Sequence, residues 1–174
     1  MPASPEKRRG RVLAVLLLAA CVLAAVLMSA GYHPVMTLRL SYQKTGEIIL
    51  EREVRPGDAL TVELTHSFEH VPWNEYYVIQ EDGSFLLQRI EVGGFGAGIP
   101  AEMDVPTYVG EDGLVHMDDI NSVFSEFNWI TSQTNMKSLL LNGEPILDFS
   151  QIPHHSFVNC SISVQQRYEY MAEL

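Results

Sequence analysis

Cysteine is scarce. The 174-residue chain has two, Cys21 and Cys160, and Cys21 lies in the apolar N-terminal run. One cysteine in the remaining body excludes an internal disulfide framework and a multi-cysteine zinc site. Cys160 sits in the alternating stretch 157–164 and reads as a buried structural residue. Positive charge is scarce as well. Four of the eleven basic residues precede Val12, so residues 32–174 carry seven against 21 acidic side chains. A body this acidic repels nucleic acid, and nucleic-acid binding is set aside. Long stretches of helical periodicity are also missing beyond residue 31, which argues against alternating α/β architectures.

What is present begins with an uncharged apolar run, Val12 to Ala30, preceded by Lys7, Arg8, Arg9 and Arg11. About 20 such residues span the roughly 30 Å hydrocarbon layer of a bilayer. The basic flank predicts a cytoplasmic N-terminus and a body outside the cytoplasmic membrane. Three readings of the run stay open: an uncleaved single-pass anchor, a cleaved signal, and a lipoprotein signal. In the last, Leu18-Ala19-Ala20-Cys21 makes Cys21 the lipidated residue. The predicted organisation is a basic cytoplasmic segment 1–11, a membrane segment 12–31, an extracytoplasmic β-domain 32–167 and a tail 168–174.

From Met36 onward the period is two and turn residues recur at short intervals. Leu60, Val62, Leu64 and His66 share one face of a strand. Asn142-Gly143 between two short apolar runs is a two-residue hairpin signal. Asp118–Phe127 is different: Ile120, Val123, Phe124 and Phe127 fall at helical spacing behind Asp118 and Asp119, so a short helix is expected there. About nine short strands predict an all-β antiparallel sandwich or barrel.

His66-Ser67-Phe68-Glu69-His70 fits H-x-x-E-H, the signature of inverted zinc peptidases. That signature needs a helix, which carries both imidazoles on one face. Here His66 ends a strand and Pro72 follows His70 by two. Four extended residues put the histidines roughly 13 Å apart, so no metal is expected. A different pair is more economical. Trp73, Glu75, Tyr77 and Ile79 share one face of the next strand. If the two strands form a hairpin, His66 and Glu75 both point inward near one end, and each buried polar group needs a partner. The same residues make a small-ligand pocket if the pair is left open. Gly93 to Pro100, GGFGAGIP, lacks both the dinucleotide spacing and the Gly-Lys-Ser/Thr of a P-loop. Its glycines suit a sheet bend or close backbone approach, or a binding loop against His66 and Glu75. Ser67 and His66 point to opposite faces of a strand and cannot act as a nucleophile and its base.

His66-Ser67, Pro72, Glu75-Tyr76-Tyr77 and Gly96-Ala97-Gly98-Ile99-Pro100 at these separations resemble the bacterial domain-of-unknown-function family numbered eighteen-fifty. The resemblance covers roughly Met36 to Val164. It implies a small exported or membrane-anchored protein acting as accessory or partner to TAXI-type TRAP transporters; it does not imply a reaction, and no cofactor is expected. It marks His66, Ser67, Pro72, Glu75, Gly96, Gly98 and Pro100, and leaves His70 out. The candidate site is therefore His66, Ser67, Glu75, Tyr77, Gly96, Gly98 and Pro100, either as a structural pair or as a pocket. The expected role is a non-enzymatic extracytoplasmic partner domain. A small-ligand or ion-binding module is the alternative, and a zinc hydrolase a remote one.

Overall fold

The computed structural model describes residues 14–23, 25, 32–94 and 104–168. The chain forms two compact units, one of residues 35–164 and one of residues 1–34 with 165–174. In the second, residues 14–23 are helical and Cys21 is exposed. Among the described residues no helix is long and apolar enough to cross a membrane.

Residues 35–164 are a β-sandwich. Among the described residues there are twelve strands: β1 (Tyr32–Tyr42), β2 (Ile48–Val54), β3 (Ala59–Thr65), β4 (Pro72–Ile79), β5 (Phe85–Val92), β6 (Thr107–Val109), β7 (Val115–Met117), β8 (Ser122–Phe124), β9 (Glu126–Ile130), β10 (Met136–Leu141), β11 (Glu144–Asp148) and β12 (Phe157–Tyr168). The smaller sheet has the order β2-β1-β12-β9. The larger runs β11-β10-β3-β4-β5-β7-β6, with β8 also paired to β5. Alternation builds the core. Met36, Leu38 and Leu40 of β1, with Val158 and Cys160 of β12, come from the small sheet; Leu60, Val62, Tyr77, Ile90 and Leu139 come from the large one. Phe127 of β9 bridges the sheets, its ring 4.8 Å from that of Tyr77 and 4.6 Å from that of Phe85. Cys160 is fully buried, and burial pushes its thiol up to about 12.

The Asn142-Gly143 signal corresponds to the β10–β11 hairpin, with φ of 52° and 83° at the two turn residues, the left-handed pair that a two-residue turn requires. The helix expected over Asp118–Phe127 is not formed. Asp119 and Asn121 both take left-handed φ, 58° and 55°, which no α-helix accommodates. Ser122–Phe124 then extends along β5, and Glu126–Ile130 joins the other sheet. The helical spacing arises because Ile120 and Phe127 enter the core from two different elements, while Val123 stays exposed.

Candidate functional site

The β3–β4 hairpin forms with Thr65 opposite Pro72, Leu64 opposite Trp73 and Val62 opposite Glu75. This register sets which side chains meet. Glu75 points to the core in a transverse row that reads Leu139, Val62, Glu75, Ile90, Met117 across five strands. It is the one acid in that row. Tyr77, two residues on and on the same face, donates its O–H to the Glu75 carboxylate at 2.7 Å. Desolvation raises the Glu75 carboxyl above its ordinary value, and the Tyr77 hydroxyl and the Trp73 indole pull the other way. The indole N–H stops short of a true hydrogen bond. The same burial, and the Glu75 charge, push the Tyr77 phenol far up.

His66 is buried, as its place on the inward face predicts. Its ring lies parallel to Trp73, centroids 5.7 Å apart and planes 6° from parallel. Trp73 thus touches the histidine and the carboxyl alike. Ser67 is exposed. The connecting loop is not extended. The His70 N–H donates to the His66 carbonyl at 3.0 Å and the Glu69 N–H to the His66 Nδ1 at 3.1 Å, closing one tight turn with His70 at φ 57°. The expected wide separation of the two histidines along an open loop is corrected by that turn. His66 Nδ1 is occupied by a backbone donor within it, and among the described residues no group of three or more His, Cys, Asp or Glu is placed to hold a metal. At the same end of the sheet the Gly93 N–H donates to the Pro72 carbonyl, and a Cβ at Gly93 would come within 2.7 Å of Val71. Glycine there permits the close backbone approach. Gly96, Gly98 and Pro100 lie outside the described residues.

The opposite face of the large sheet holds a network that strand patterning did not single out. One outward row reads Asp148, Ser138, Glu63, Asn74, Glu91, His116, Tyr108 across seven strands. Every member is polar, and Ser138 donates to Glu63. Glu91 is buried at the centre. It accepts from Tyr76 Oη at 2.5 Å and pairs with Arg89 at 3.1 Å. The Arg89 guanidinium lies over the Tyr76 ring at 4.5 Å. Burial and the Glu91 carboxylate push the Tyr76 phenol up to about 12. His116 faces two carboxylates. Its Nδ1 lies 3.3 Å from Glu91, an ion-pair distance without hydrogen-bond geometry, and its Nε2 lies 3.1 Å from Asp112. Tyr108 stacks on the imidazole at 5.1 Å. The signal available in the sequence was the alternation itself. Asn74 and Tyr76 in β4, and Arg89 and Glu91 in β5, are polar residues at every second position.

No curated protein and no solved structure matches the chain. A family model does match, over residues 60–146, half of the chain. That span starts one residue into β3 and ends inside β11, so it takes in every strand of the large sheet and, of the small sheet, β9 alone. The chain belongs to the family described as Domain of unknown function (DUF1850).

Proposed function

We propose that this protein is an extracytoplasmic accessory domain that works with a TAXI-type TRAP transporter by binding rather than by catalysis. The apolar segment 12–31 tethers it to the cytoplasmic membrane with the N-terminus inside, and the large sheet makes the contact. The observation that supports the reading is the matched span: residues 60–146 take in the strands of the large sheet and only β9 of the small one. The outward face of that sheet is polar and internally cross-linked, so it is ordered before any partner arrives. Pre-ordered side chains lose little conformational entropy on binding. Tethering raises the local concentration of the domain beside a membrane partner. The test is purification of the full chain from its native membranes in mild detergent. Co-elution with TAXI receptor or transporter subunits is expected; recovery as a lone chain counts against the reading.

A second reading, a small-ligand module using the inward His66, Trp73 and Glu75 end, is favoured by the Glu75 carboxyl, held by one hydroxyl in an apolar row. A ligand that donates hydrogen bonds to Glu75 would raise the melting temperature, and Glu75→Gln would abolish that rise.

A further inference from the structure

The large sheet has a gap in its ladder. On the outer edge of β5, β8 pairs with Phe85, Leu86 and Leu87, and β7 pairs with Ile90, Glu91 and Val92. Gln88 and Arg89 lie between the two. On the inner edge the register slips at the same point, from Tyr76–Arg89 to Tyr77–Leu87, so Gln88 forms a bulge. Bulges of this kind re-aim side chains and recur beside binding sites. The segment Asp118–Asn121 crosses the gap and is tied to it by the Ile120 N–H donating to the Gln88 carbonyl at 3.1 Å. Asp119 and Asn121 are both left-handed. The result is a cleft of about 490 Å³, its walls including Tyr76, Gln88, Arg89, Asp118, Asp119 and Asn121. That volume lies in the range of small-molecule sites.

The side chains define what fits. Asp118 and Asp119 only accept hydrogen bonds, Arg89 only donates, and the Gln88 and Asn121 amides do both. Arg89 pairs with Glu91 at 3.1 Å, lies 4.0 Å from Asp118 and sits over the Tyr76 ring. One guanidinium set against Glu91, Asp118 and Asp119 leaves the cleft negative, which disfavours an anion. A simple cation offers no acceptor to the guanidinium or the amides. Adjacent hydroxyl groups offer donors and acceptors together and carry no charge. We propose that this cleft binds a neutral polyhydroxylated small molecule of the monosaccharide class. None of His66, Trp73 and Glu75 lines this cleft, and the proposal does not depend on the transporter partnership.

The experiment uses the full chain in a detergent without a sugar headgroup. D-glucose, D-galactose and D-mannose are titrated singly while backbone amide resonances are followed by NMR; glycine and putrescine serve as charged comparators. At least one sugar should shift the amides of residues 76, 88–89 and 118–121 saturably, with half-saturation in the millimolar range. Asp119→Gly removes a carboxylate yet suits the left-handed backbone. It should weaken binding roughly fivefold or more, as loss of about one hydrogen bond requires. Arg39→Gln, on the small sheet, should leave binding unchanged. The proposal is overturned if no sugar shifts these amides, if Asp119→Gly and Asp118→Asn both bind as the parent does, or if glycine or putrescine binds there more tightly than every sugar.

Discussion

Glu75 sits where a core residue belongs, between Val62 and Ile90. Burial raises its carboxyl above the ordinary value of 4.5. The sign follows from linkage. A folded state that holds its proton more tightly than the unfolded chain loses stability as pH rises through the folded value. Glu75→Gln keeps an acceptor for Tyr77 and removes the charge. The variant should therefore be more stable than the parent at pH 8, by on the order of 1 kcal/mol, with the difference vanishing near pH 4; thermal denaturation at the two pH values measures this. Tyr76 and Glu91 form the complementary case on the outer face. The phenol, at about 12, contributes stability that is fully present below pH 10 and lost as pH approaches 12. A double-mutant cycle of Tyr76→Phe with Glu91→Gln should give a coupling of about 1 kcal/mol or more, because the hydroxyl and a buried carboxylate meet directly. Additive effects would contradict it. At this scale the inward aim of His66 and Glu75 was legible from period two alone. The Trp73 stacking and the Tyr77 hydrogen bond were not. A hairpin pattern leaves the register open, and the register found here stacks Trp73 against the His66 ring.

At the scale of elements, hairpins with left-handed turn residues were legible, because Asn142-Gly143 can do little else. The stretch after Asp118 was misleading for a physical reason. Apolar residues at i, i+3, i+4 and i+7 describe one helix face, but here they belong to a core plug, an exposed strand and a strand in the other sheet. Left-handed Asp119 and Asn121 decide the matter, and the conformation of neither follows from residue type alone. The β6–β7 hairpin depends on another backbone position. A Cβ at Gly110 would come within 2.4 Å of His116 Nε2 and 2.6 Å of Asp112. Gly110→Ala should push the imidazole off Asp112 and destabilise the chain by roughly 2 kcal/mol. Hydrogen exchange should quicken first in residues 107–117 while β3 and β4 remain protected. Uniform exchange along the large sheet would show that the hairpin is not locked by this contact.

At the scale of the whole molecule, the all-β class and the family were legible; the uneven spread of the matched span over the two sheets was not. It emerges only when the matched span 60–146 is laid on the strand order, where it takes in every strand of the large sheet but only β9 of the small one. The acidic balance of the body is likewise readable as a total, but the arrangement of Glu63, Glu91 and Asp148 in one outward row needs the register. The central claim is that the large sheet is the surface that meets the transporter. The most direct measurement is site-specific photo-crosslinking in native membranes, with the photoreactive residue at Lys137 of β10 or at Arg52 of β2, both exposed. The account predicts a covalent adduct with a TAXI receptor or TRAP membrane subunit from position 137 and none from position 52. Adducts from position 52 alone, or from neither, would contradict it.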